Sequence, residues 1–184
     1  MRRIAEVSKL ELRDRIGPNL RVLFVGINPG IRSALTGHHF AGYSNRFWRL
    51  LFESRLVPEP ITFEDDDRLA EWGYGITNIV PRPTSGINDL RAEEYRDGAT
   101  RLMRKIRRHR PAIVAVVGVT VWRALLEALG DRAAWKRPVT FGFQPELTTP
   151  TTRYFVLPNP SGRNANYSYE AMLTAYKKLR AATR

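Results

Sequence analysis

Cysteine is missing from this chain of 184 residues, which excludes disulfides, thiolate zinc sites and cysteine-ligated iron–sulfur clusters. Long apolar runs are missing too: none approaches the ~18 residues of a membrane span. The opening Met1-Arg2-Arg3-Ile4-Ala5-Glu6 leads into mixed charge, not into the apolar core of a signal peptide. The expectation is a cytoplasmic protein with no membrane contact, no metal and no cofactor. Lysine is scarce, only five of the thirty basic residues. Carboxylates are scarce in one half only: residues 1–98 carry 14 basic and 14 acidic side chains, whereas 99–184 carry 16 and 4. The whole excess of +12 therefore sits in the second half. Arg101, Arg104, Lys105, Arg107, Arg108 and Arg110 fall within ten residues that hold no carboxylate. That density suits a surface meeting a polyanion, or else a solvated helix in an arginine-biased composition.

What remains is a chain 43% hydrophobic, which suits one globular domain over residues 1–184. It is organised around Arg21-Val-Leu-Phe-Val-Gly-Ile-Asn-Pro-Gly30, an apolar run that reads as a strand buried on both faces and stops abruptly at Asn28-Pro29-Gly30. Arg153 to Leu157 repeats the pattern and runs into Pro158-Asn159-Pro160-Ser161-Gly162. If both strands are parallel in one sheet, the two turns meet at one edge, where open α/β sheets place their ligands.

Around these, apolar spacing predicts a helix over 1–17, a binding loop over 30–43, and a helix capped by Ser44 and running through Arg55. Glu64-Asp-Asp-Asp67 reads as the acidic start of a short helix, in preference to a metal site. Strands are predicted over 75–80, 111–118, 139–143 and 154–157. Helices are predicted over 92–109 (with Ala92, Tyr95, Ala99, Leu102 and Ile106 inward), 120–129 and from 168 or 169 to 182. Alternating strands and helices signify a layered α/β domain with a largely parallel sheet.

Singly, Asn-Pro-Gly and Asn-Pro-Ser-Gly are ordinary turns. In order, with Ser33 to Gly37, Phe40, Asn45-Arg-Phe-Trp48 and Thr77-Asn-Ile-Val-Pro-Arg-Pro-Thr84 between them, they form a pattern spread over about 140 residues. This pattern resembles the mismatch-specific uracil-DNA and thymine-DNA glycosylases. The resemblance implies a three-layer αβα sandwich of the uracil-DNA glycosylase type. It implies a monomer that flips a mispaired or damaged pyrimidine out of double-stranded DNA and hydrolyses its N-glycosidic bond: uracil, preferentially from G·U, with thymine or alkylated cytosine as further candidates.

By the same resemblance Asn28 positions the attacking water. A carboxamide orients water but does not take its proton near neutral pH, so the chemistry should be slower than an aspartate would give. Asp89 is the nearest carboxylate in motif order, readable either as an auxiliary base or as the N-cap of the basic helix. Ile27, Gly30 and Ser33 line the pocket near Asn28. Phe40 matches the aromatic on which the flipped base stacks, or else packs into the core. Asn78 matches the base-reading position, its amide complementary to uracil N3 and O4, or else it caps a strand end. His38 and His39 read as loop or phosphate contacts. Asn159, Ser161, Gly162, Arg163 and Asn164 form the DNA-contacting turn, with Arg163 at the wedge position, where part of the family has leucine. No lysine lies in the matched motifs to support a lyase step. Affinity is expected to be electrostatic, supplied by the second-half basic surface. A lesion-binding sensor that does not cut is the alternative.

Overall fold

A computed structural model describes residues 10 to 183. Five strands form one sheet: β1 (Val22–Gly26), β2 (Tyr74–Asn78), β3 (Ile113–Val117), β4 (Gly142–Gln144) and β5 (Arg153–Leu157). Their order is β2-β1-β3-β5-β4, with only β4 antiparallel to its neighbour. β1 and β3 are buried along their whole length, as continuous apolar strands of a parallel sheet must be.

Side chains alternate across the pleat. Leu23 and Val25 point to one cluster with Leu102, Trp122 and Tyr154. Val22 and Phe24 point to the other, with Phe47, Leu51 and Tyr176. The first face is covered by α3 (Ala92–His109) and α4 (Val119–Ala128), the second by α2 (Phe47–Glu53) and α5 (Tyr169–Ala182). Two helical layers on one sheet make the three-layer αβα sandwich.

The structure departs from the sequence-based expectations in several places. Of the helix expected over 1–17, residues 1–9 lie outside the described part, and 10–17 are not helical. Instead Arg15 pairs with Ile76 through two backbone hydrogen bonds of 2.9 and 2.8 Å. β2 is an edge strand with unpaired backbone groups, and this segment covers them. The expected loop after Gly30 contains a short helix, α1 (Ile31–Thr36), closed by Gly37 at φ 76°; under two turns of helix leave no periodicity to read. α2 begins at Phe47 and not after Ser44, because the side chain of Asn45 accepts the Phe47 N–H at 2.9 Å. The strand expected over 139–143 is displaced to 142–144. Ala92 is exposed and Tyr95 half-buried, whereas Ala99, Leu102 and Ile106 are buried as expected.

Gly98 shows how closely α3 lies on the sheet. A Cβ there would overlap the carbonyl oxygen of Ile79, a backbone atom just past β2 that cannot move aside. Gly to Ala inside a helix ordinarily stabilises by about 1 kcal/mol. For Gly98→Ala the sign reverses, and a loss of about 1–3 kcal/mol is expected in chemical denaturation.

Candidate active site

The carboxyl ends of β1, β2, β3 and β5 open into a cavity of about 520 Å³ whose lining includes Asn28, Phe40, Asn78, Val117, Asn159 and Arg163. The turn after β1 and the turn after β5 do meet, although β3 separates their strands. The segment between α1 and α2 clamps them: Arg46 N–H donates to Pro160 O at 2.9 Å. Gly162 is a glycine for this reason, since a Cβ would run into the backbone and side chain of Ser44.

The Asn28 turn is held by backbone pairing that continues past β1. Ile79 N–H donates to Gly26 O at 3.0 Å, Val80 N–H to Ile27 O at 2.8 Å and Thr84 N–H to Pro29 O at 3.2 Å. This brings Thr84 beside Asn28 and fixes the carboxamide. The Thr84 hydroxyl spends its one hydrogen on Gly86 O at 2.7 Å, so toward Asn28 it can only accept, and it does so from Nδ2 at 2.7 Å. The other Nδ2 hydrogen goes to Arg82 O at 3.1 Å. With both amide hydrogens committed, Oδ1 is the group Asn28 offers to a ligand in the cavity.

A second carboxamide is fixed in the same way. His39 is 2% exposed, and burial lowers its pKa, so it is neutral at pH 7. Its Nε2 lies 3.0 Å from Arg13 O, which only accepts, and therefore carries the ring proton. Nδ1 is left as an acceptor facing Asn78 Nδ2 at 3.5 Å. That sets Asn78 with its oxygen over Gly26, where any Cβ would come within 2.6 Å of Oδ1. The cavity thus receives one acceptor and one N–H donor side by side.

Phe40 both packs and lines the cavity. Its ring stacks on Phe47, with centroids 4.0 Å apart and planes 19° apart, in the left-handed backbone conformation (φ 53°). Half-buried, it leaves ring surface in the cavity lining for a planar ligand to stack on. Base–aromatic stacking is worth about 1–3 kcal/mol. Phe40→Ala should therefore weaken the binding of a planar aromatic ligand in this cavity roughly ten- to a hundredfold, read by titration.

Ile27, Gly30 and Ser33 line the cavity as expected, and Ser33 Oγ accepts the Ala41 N–H at 3.1 Å. Asn159, Ser161 and Arg163 line it too. That turn is capped by its own side chains: Asn159 Oδ1 accepts from Ser161 N–H at 3.0 Å, and Asn164 Nδ2 donates to Asn159 O at 2.8 Å. Asn164 therefore shapes the turn from outside the lining, while Arg163 stands exposed at the rim.

Asp89 is not brought to the site. Exposed and outside the lining, it accepts the Gly86 N–H at 3.3 Å. Nor does it cap the basic helix, whose cap is Arg91 with Glu94 accepting its N–H at 2.9 Å. Both histidines make loop contacts: His38 Nδ1 lies 3.1 Å from the fully buried carboxylate of Asp66 and His39 Nε2 donates to Arg13 O. Asp66 also holds Arg15 Nε at 2.7 Å, which is the use of one carboxylate in the Glu64–Asp67 run. Among the described residues no three His, Asp or Glu side chains gather as a metal-binding set.

Thr84, His39 and Asp66 were thus missed as site residues. So was Tyr43, which is 92% exposed at the rim with the Arg32 guanidinium 3.7 Å over its ring. Among the described residues neither a carboxylate nor a lysine lines the cavity. The charged residues that line it in the described part are Arg32 and Arg163, an arrangement suited to a polyanionic ligand and to orientation of water without proton abstraction.

A sequence model of the uracil DNA glycosylase superfamily matches residues 14–180. The chain is 41% identical over 162 residues to a G/U mismatch-specific uracil DNA glycosylase of Schizosaccharomyces pombe, covering 85% of this chain and 49% of that protein. It spans about half the length of this curated relative.

Proposed function

The chain belongs to the uracil DNA glycosylase superfamily, and from that premise we propose that it is a monofunctional DNA glycosylase of base-excision repair. It acts on double-stranded DNA, flips uracil out of a guanine mismatch and hydrolyses its bond to deoxyribose. The observation that carries this reading is the pair of fixed carboxamides, Asn28 and Asn78, that share the cavity lining with the Phe40 ring. Asn78 offers an acceptor for uracil N3–H and a donor for O4, the pattern cytosine would oppose. A site built to pair such groups rejects a mismatched ligand by several powers of ten.

Asn28 Oδ1 accepts a hydrogen bond from water and aims its oxygen at C1′. As the N1–C1′ bond breaks, its electron pair leaves on the base, the sugar becomes oxocarbenium-like, and water adds to C1′. The water proton passes to solvent, since no lining side chain takes it. The reaction consumes one water and balances without a cofactor. Arg163 enters the gap left by the flipped nucleotide, where its guanidinium reaches the opposite guanine or a phosphate. With no lysine in the lining among the described residues, the product is an intact abasic site.

Single-turnover assays on labelled duplexes carrying G·U, A·U, G·T or no lesion, with and without alkali, test this. Strand breaks at uracil only after alkali, faster for G·U than for A·U, are expected. Salt-sensitive binding without abasic product on any substrate would overturn it in favour of a lesion sensor, a reading the carboxylate-free cavity also suits.

A further inference from the structure

The basic decad does not face the cavity. The cavity lies at the carboxyl ends of the parallel strands. α3 starts on that side, after β2, and its 18 residues carry the chain to the amino end of β3. At 1.5 Å per residue this is a run of about 27 Å, with the arginines in its far half. Gly98, Ala99, Leu102 and Ile106 are the buried positions of α3, so helical geometry puts Arg104, Arg107 and Arg108 on the outer side, where they are exposed.

Lys105 is different: it is spent on Asp14 at 2.6 Å and on the Thr77 hydroxyl. Arg104, Arg107, Arg108 and Arg110 enter no ion pair among the described residues. Arg21 and Arg153, at the same end of the sheet, are exposed but lie toward the α2–α5 face, Arg21 over the Tyr74 ring and Arg153 over the Phe143 ring, so the basic surface is that of α3. Gly98 packs on Ile79 at the cavity end of the sheet, so Arg104, Arg107 and Arg108 lie about 9–15 Å along the helix axis beyond that level and turn away from the cavity.

We propose that this surface of α3 is a second, sequence-independent DNA-backbone site, which holds a duplex segment other than the one whose base occupies the cavity. The chemistry favours phosphates. The cations are arginines, whose forked donors match phosphate oxygens. Arg104 and Arg108 stand about 6 Å apart along the helix axis, while phosphates of one strand recur about every 3.4 Å of duplex axis, so neighbouring side chains reach phosphates one or two steps apart. The outer face interleaves no apolar residue among Arg104, Arg107 and Arg108, so it lacks the anchors a membrane surface or a protein hot spot would need. The proposal rests on the glycosylase reading only in taking DNA as the polyanion. Its consequence is an enzyme that touches two duplex segments at once, one read for lesions and one gripped by charge.

The test is the triple variant Arg104→Gln, Arg107→Gln, Arg108→Gln, all at exposed positions that leave the core intact. Two undamaged duplexes carrying donor and acceptor dyes should be brought together by the wild-type protein and not by the variant. The salt dependence of binding to a long undamaged duplex should weaken, its log–log slope falling by about two to three for three lost phosphate contacts. Single-turnover excision from a short G·U duplex should stay within about twofold, on the basis that no contact at the cavity is changed. Absence of bridging by the wild type, or bridging that survives in the variant, overturns the proposal. So does a loss of short-duplex excision that parallels the loss of binding, since the surface would then belong to the lesion interface. If neither protein excises uracil, the glycosylase reading fails while the bridging and salt arms still decide this one.

Discussion

Asn28→Ala should lower single-turnover excision of uracil from G·U duplex by on the order of 10²- to 10³-fold, with affinity for the same duplex changed only a few-fold. The magnitude is that of removing one preorganised polar group aimed at the reacting centre. The split between rate and binding follows from the geometry. Both Nδ2 hydrogens serve the protein, on Thr84 and Arg82, so alanine removes from the cavity only Oδ1, which touches water and not the base. On the proposed reading the DNA contacts fall to other groups of the cavity rim, Arg32, Tyr43, Asn159, Ser161 and Arg163, all of which line it. Thr84→Val should reproduce part of the defect, roughly tenfold, by removing the acceptor that keeps the amide from turning over. Equal losses of rate and binding in Asn28→Ala would count against water positioning.

How much of this was legible in the sequence depends on the range over which each feature is encoded. β1, β3 and β5 were legible because a strand buried on both faces is written as an unbroken apolar run, and α3 because 18 residues give several turns of periodicity. The meeting of the two turns followed from parallel pairing alone. α1 was invisible because six residues are too few to show a period. The 10–17 segment misled because Leu12 and Ile16 pack whether the chain is helical or lies along an edge.

Within the site, cavity-lining residues that sit in local motifs were legible, whereas rim residues such as Arg32 and Tyr43 and the groups that hold the lining in place were not. Asn28, Phe40, Asn78 and Arg163 sit in local motifs. Thr84 acts on Asn28 across 56 positions and Asp66 on His39 across 27, and nothing in a single sequence announces such pairings. The basic decad is the reverse case: its composition announced a polyanion surface, and only the direction of α3 tells which edge carries it.

Asp66 is the strongest of these hidden supports, and Asp66→Ala should cost about 3–5 kcal/mol of stability, the loss associated with removing one partner of a buried ion pair. Its carboxylate is fully buried and accepts from three groups: Arg15 Nε at 2.7 Å, His38 Nδ1 at 3.1 Å and the His39 backbone N–H at 2.8 Å. Arg15 in turn donates to Gly37 O at 2.8 Å. Asp66 and Arg15 therefore grip both sides of residues 37–39, the turn that delivers Phe40 in its left-handed conformation. A typical domain has only about 5–15 kcal/mol in hand, so the melting temperature should fall sharply.

The loss should also reach function by a route that global instability does not explain. At a temperature where circular dichroism shows the variant still folded, the enzyme concentration for half-maximal excision should rise about as much as in Phe40→Ala, roughly tenfold or more. The maximal rate should change less, because the Asn28 turn is held by β1, Ile79, Val80 and Thr84 and owes nothing to Asp66. Combining Asp66→Ala with Phe40→Ala should add little further loss of apparent affinity, as expected of two changes that remove one interaction. A lowered melting temperature with an unchanged titration curve would mean that the Phe40 turn holds its shape without Asp66.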